Sequence, residues 1–284
     1  MSNKSIRKAV KIITGQPTTD GAGVQLVRVI GQQALMDLDP FLLLDAFRSD
    51  VPDDYIAGFP PHPHRGFETV TYLLDGNMRH KDNAGNEGVI EAGGIQWMTA
   101  GKGIIHSEMP EQENGLLEGF QLWINLPASH KMVEPQYQEH GAGDIPIESR
   151  DGTTIKIITG KTSQGTQGPV VQPLTRPLFF DITLDADTVF QESIETGHNA
   201  FVYIIDGSIE IEDEQNALQV LTRDRLAVLG EGEQIEIRST ADGARFLLVA
   251  GRPLNEPIAR GGPFVMNTHS ELKQAFSDYQ SGNF

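Results

Sequence analysis

The residues best suited to chemistry fall in two short pairs, His62-Pro63-His64 and His106-Ser107-Glu108. Both have the i, i+2 spacing that puts two side chains on one face of a β-strand. If the strands carrying them pair or face each other, three imidazoles and one carboxylate converge. Such a set holds a divalent transition ion at ligand distances of about 2 Å, and an octahedral ion would keep about two positions open for water, dioxygen or a chelating substrate. Glu68 competes for the carboxylate place because it shares strand parity with His62 and His64. Arg65-Gly66 intervenes, however, and can break that parity, whereas Glu108 lies two residues from His106 on one strand face. The expected ligands are His62, His64, His106 and Glu108, with Glu68 the alternative carboxylate.

Positioning these residues calls for strands. GVQLVRVIG, GFETVTYLLDG, GGIQWMTAG, GFQLWINLP, TTIKIITG, PLFFDITLD, AFVYIIDGSIEIED, EQIEIRS and ARFLLVAG are short, β-branched or aromatic, and bounded by Gly, Pro, Asp or Asn. Their regular spacing predicts an all-β chain of barrels or sandwiches. The apolar run 70–74 ends at Asp75-Gly76, which reads as a hairpin turn, and Gly93-Gly94 with Gly101-Lys102-Gly103 bracket a strand around Trp97 before the chain delivers His106. Only the tail, 270–284, has the apolar and charged mix of a short helix; 38–47 reads as irregular or as a helical turn.

A weak internal repeat, VTYLLDG at 70–76 against FVYIIDG at 201–207, predicts two copies of one barrel. The second copy keeps only His198, with no HxH partner and no HSE counterpart, so one metal per chain is expected. The boundary is expected within 130–146, where Pro, Gly and charged residues replace the strand pattern, giving a metal-binding half, 1–138, and a half without metal, 139–284.

The order HxH, three residues, Glu68, strand, Gly-rich turn and His106 resembles the two-part cupin signature, in which ordinary cupins take their carboxylate from the place of Glu68. Four stretches, HPHRGFETVTYLL, QWMTAGKGIIHSEMP, FQLWINLPASHKMVEPQYQ and GRPLNEPIARGGPFVMNT, run from residue 62 to residue 268 and resemble the pirin family, including the bacterial pirin-like quercetinases. This resemblance implies a bicupin of two jelly-roll-like β-barrels and one metal in the N-terminal barrel, with the carboxylate ligand in the HSE segment. Fe(2+) is the first choice, with manganese, nickel, copper or zinc as alternatives. It also implies ring-opening dioxygenation of a flavonol such as quercetin, with release of carbon monoxide. Glu108 would then double as the base that accepts the substrate proton. The rival expectation is a metal-dependent regulator that binds a transcription factor or metabolic enzyme without turnover. A deep apolar cleft above the metal favours the enzyme, and a flat charged surface favours the regulator.

Composition sets looser bounds. At 284 residues the chain is close to two domains on a prior of one per ~150 residues. With 22 basic against 39 acidic side chains, a net charge of -17 repels a phosphate backbone and argues against direct nucleic-acid binding. No stretch approaches the ~20 apolar residues of a membrane span, and MSNKSIRKAVKII lacks the apolar core of a secretory leader. The absence of cysteine excludes disulfides and thiolate ligands and fits a reducing compartment. A cytoplasmic monomer is expected, acting on a small aromatic substrate and dioxygen or binding a protein partner. His80 reads as a partly exposed structural histidine, and His130 and His140 as surface residues. Phe59, Phe67, Trp97, Met98, Met109 and Phe120 read mostly as core, any of them near the open metal positions being able to wall an aromatic pocket.

Overall fold

The chain alternates between two cupin units, described here from a computed structural model that covers residues 4–284. Strands dominate; the exceptions among the described residues are short 3-10 turns and one helix, His269–Gln280. One unit comprises 16–32, 40–142 and 254–284; the other comprises the chain through Gly15, 33–39 and 143–253. The sequence reading of contiguous halves, 1–138 and 139–284, describes simple spans, whereas these units interleave along the chain.

The first unit, called here the histidine unit, contains two main sheets. A seven-stranded sheet runs in the order Gln136–His140, Ile95–Thr99, Phe67–Asp75, Leu117–Asn125, Phe41–Ser49, Val24–Ile30, Gln16–Asp20. A four-stranded sheet runs Phe59–His64, Ile104–Pro110, Met78–Asp82, Glu87–Ile90. The second unit is built on a ten-stranded sheet whose longest members are Asn199–Glu212 and Gln234–Gly251. Its core follows the period of a strand, because Leu178, Phe180, Ile182 and Leu184 on one strand and Ala200, Val202 and Ile204 on another all enter one buried cluster.

Three local expectations change, and the fourth, a short helix in the tail, holds. The stretch 38–47 is largely strand: Phe41–Ser49 lies inside the seven-stranded sheet, and its Phe41 to Leu44 run is buried throughout, which hides the alternation that marks a half-exposed strand. The turn at Gly76, φ +84°, does not close a hairpin. It carries the chain from Phe67–Asp75 in the seven-stranded sheet to Met78–Asp82 in the four-stranded one. Turn chemistry specifies the bend but not the pairing partner. Within 130–146, Gln136–His140 forms an edge strand against Ile95–Thr99, with Tyr137 opposite Met98. Finally, the tail helix is His269–Gln280 and starts at a capping box: the Thr268 hydroxyl accepts from Glu271 N–H at 3.2 Å, and Glu271 Oε2 accepts from Thr268 N–H at 2.8 Å. Among the described residues no helix is long and apolar enough to cross a membrane.

Candidate metal centre

The two motif-bearing strands are direct neighbours. Phe59–His64 and Ile104–Pro110 pair antiparallel with His106 opposite His62 and Ile104 opposite His64; the register shifts between His106 and Glu108, which faces Phe59. On its other edge Ile104–Pro110 pairs with Met78–Asp82, where Asp82 faces His106 and His80 faces Glu108. Alternation along Ile104–Pro110 buries Ile104, His106 and Glu108 and leaves Ile105 and Ser107 half-buried, as i, i+2 spacing requires.

His62, His64 and His106 each bring a ring nitrogen within 4.8 Å of the others. His62 Nδ1 lies 2.9 Å from Pro60 O, a contact in which the ring N–H donates, so Nε2 carries the lone pair. That Nε2 is 3.0 Å from His64 Nε2. Two nitrogens each about 2.1 Å from one ion at a right angle would stand about 3.0 Å apart, so the spacing fits a pair of cis ligands. Both ring nitrogens of His106 and Nδ1 of His64 are buried without a hydrogen-bond partner. Unpaired buried polar atoms are costly, and an ion ligated by one ring nitrogen of His106 would account for that atom. Burial above all, then the neighbouring imidazoles, holds His64 and His106 well below the ordinary histidine range. Both are therefore neutral near pH 7, the form that ligates.

The two competing carboxylates have different surroundings. Glu108 Oε1 accepts from the Thr71 hydroxyl at 2.8 Å and Oε2 from Gln121 Nε2 at 3.2 Å; it faces the same cavity as His62 and His64, but its carboxylate lies outside the group of ligand atoms within 4.8 Å of one another. Glu68 is buried with Oε1 accepting from the Thr99 hydroxyl at 2.7 Å, and it sits opposite Thr99 and Ile124 in the seven-stranded sheet. Parity with His64 is broken at Gly66, φ +88°, where a Cβ would come within 2.0 Å of Val265 O. Lys131 ties that turn down: its ammonium donates to Gly66 O at 2.7 Å, Asn125 Oδ1 at 2.6 Å and Val265 O at 3.0 Å. Burial lowers this lysine to about 8.

The cluster opens on a cavity of about 590 Å³. Of the apolar residues singled out from sequence, Phe59 lines it, whereas Phe67, Trp97, Met98 and Phe120 are buried. Sequence reasoning missed its main aromatic wall, Trp123, which stacks edge-on against His64 at 5.1 Å and lies 4.3 Å from Phe67. Trp123 was legible only as part of the WINLP stretch. Arg260 covers it at 4.9 Å, and Arg28 forms a two-point pair with buried Asp45 at 2.9 and 2.7 Å in the same wall. His80 is buried rather than partly exposed and lies 2.7 Å from Glu139 Oε1 without the alignment of a hydrogen bond. His130 and His140 are half-buried and stand outside the cluster.

Fold and site together define a bicupin in which one unit carries a three-histidine cluster suited to a metal. The chain belongs to the pirin family: the Pirin family model matches residues 23–124 and the Pirin C-terminal cupin domain matches 179–284. A pirin-like protein of Caulobacter vibrioides is 51% identical over 98% of this chain and 99% of its own length. A Pseudomonas aeruginosa protein provisionally named a quercetin 2,3-dioxygenase is 47% identical over 97% of both chains. The crystal structure of a quercetin 2,3-dioxygenase from Acinetobacter baumannii superposes with a TM-score of 0.89 at 32% identity, covering 99% of each chain.

Proposed function

We propose that this protein is a metal-dependent dioxygenase that opens the ring of a flavonol such as quercetin. The observation that carries this reading is the pairing of three converging imidazoles with a cavity of about 590 Å³ walled by Trp123, Phe47 and Phe59. That volume lies in the ~300–1,000 Å³ range of small-molecule sites, and a flavonol offers the flat aromatic body such walls accept. The relatives named as quercetin dioxygenases support the same substrate class.

His62, His64 and His106 would hold the metal, with Glu108 as the fourth ligand. A bound divalent ion, iron first and manganese, nickel, copper or zinc as alternatives, would supply a charge that acidifies the 3-hydroxyl and open positions for that oxygen and for dioxygen. The chain contributes the rest. Glu108 accepts the 3-hydroxyl proton, with Thr71 and Gln121 setting the direction of its carboxylate. Trp123, Phe47 and Phe59 hold the rings and keep water from the reacting carbon. Quercetin and dioxygen give the depside and carbon monoxide, so all atoms are accounted for.

The test is anaerobic metal reconstitution followed by dioxygen uptake over a panel of flavonols. Quercetin should be consumed with carbon monoxide release, His106→Ala should abolish the rate, and an analogue lacking the 3-hydroxyl should not react. Flavonol binding without turnover under every metal, together with capture of a cellular protein only by the metal-loaded form, would overturn this reading in favour of a regulator.

A further inference from the structure

The internal repeat gives the second unit its own approach to the repeated strand. At the same distances before Tyr203 as His62 and His64 lie before Tyr72, the chain carries Ser193 and Glu195. Both line a cavity of about 420 Å³, and His198, Arg176 and Lys161 line it with them. The second unit thus has a cavity of its own beside the approach to its repeated strand.

Its electrostatics differ from those of the histidine unit. Arg176 Nη2 pairs with Glu195 Oε2 at 2.8 Å, which neutralises the one acidic wall residue, while Lys161 adds a further cation. His198 is only 5% exposed, and its Nε2 is buried without a hydrogen-bond partner, the Glu195 carboxylate lying 3.6 Å away. Behind these residues Arg7 is buried, and its guanidinium donates to four carbonyls: His198 O at 2.8 Å, Gly232 O at 3.0 Å, Glu195 O at 3.1 Å and Gly230 O at 3.1 Å. Carbonyl partners satisfy its N–H groups, and Glu231 offsets part of its charge. The site thus concentrates positive charge in a chain whose net charge is -17.

We propose that this cavity binds a small organic monoanion, a carboxylate on an apolar body. The carboxylate would accept from the His198 ring N–H and sit between Arg176 and Lys161. Glu195 disfavours a dianion such as phosphate, because a second negative charge would face it unpaired. Val171, Leu178 and Ile194 give the apolar body a wall of matching character. A bare inorganic anion would leave that wall uncovered.

The test uses the full chain with 15N-labelled histidine, titrated separately with benzoate, with benzamide as its uncharged isostere and with inorganic phosphate. His198→Gln identifies the His198 ring signals by their loss. Benzoate should shift those signals saturably, and benzamide and phosphate should bind at least tenfold more weakly. Arg176 sits at φ +47°, a conformation asparagine tolerates, so Arg176→Asn should keep the fold and weaken benzoate at least tenfold. The exposed Lys161→Gln should weaken it about threefold with an unchanged circular dichroism spectrum. Unmoved His198 signals, equal binding of benzamide or phosphate, or undiminished benzoate affinity in Arg176→Asn would each overturn the proposal.

Discussion

The approach to Tyr72 in the histidine unit presents His62 and His64, and the matching approach to Tyr203 presents Ser193 and Glu195. Around the imidazoles burial produces neutral groups, since His64 and His106 shed their protons and keep lone pairs that need no counter-ion. Around Glu195 the group is an anion, and the fold has supplied Arg176 beside it. Both units also bury a cation whose donors end on neutral oxygens, Lys131 in one and Arg7 in the other. The two units thus border their cavities with different chemistry, neutral lone-pair donors in one and a charged pair in the other.

The largest expected effect separates the units directly. His64→Ala and His106→Ala should each lower metal affinity by orders of magnitude, while His198→Ala should leave about one metal per chain, as measured by elemental analysis after dialysis. Full retention in either of the first two variants would break the comparison at its root.

Each unit also holds a two-point arginine–aspartate pair: Arg28 with Asp45, and Arg245 with Asp181 at 3.0 and 2.7 Å. The aspartates are buried and the arginines are partly exposed. Arg28→Met and Arg245→Met should each cost about 2–4 kcal/mol in urea unfolding, because a buried carboxylate loses its partner while water can still reach part of the gap. A loss under 1 kcal/mol in either would mean its aspartate finds another cation.

The carboxylate choice carries a smaller effect. Glu108→Gln should weaken metal binding while Glu68→Gln should leave metal content near wild type, because only the first exchanges a charged oxygen ligand for a neutral amide. The reverse result would assign the metal's carboxylate to Glu68 and leave Glu108 a wall residue.

The smallest effect concerns the two buried cations. Lys131 is lowered to about 8 in the fold from an ordinary 10.5, so between those values the unfolded chain holds a proton that the folded chain has released. Stability should therefore rise with pH over that window. The gain should be about 1–2 kcal/mol, below the full linkage value because a neutral amine has one N–H fewer for its three oxygen acceptors. Comparing unfolding free energies of wild type and Lys131→Met from pH 7 to pH 10 isolates this slope, and parallel curves would show that Lys131 stays protonated. Arg7, which remains charged throughout, should contribute no such slope.

Parity and residue type were legible from sequence because they are local. An i, i+2 pair faces one way on any strand, so His62 with His64 and His106 with Glu108 could be read as two candidate faces, and the apolar runs could be read as an all-β chain in two related units. The absence of cysteine excluded thiolates without any structure. Tertiary structure decided what is not local. It paired Phe59–His64 with Ile104–Pro110, which brings the three imidazoles together, and sent the chain after Gly76 into a different sheet. It turned Glu68 toward Thr99 and Glu108 toward Thr71, and it set Trp123, Arg28 and Arg260 around the cavity from distant strands. Strand pairing depends on which distant segments bury their faces against each other, and neither turn residues nor periodicity encode that choice within one strand.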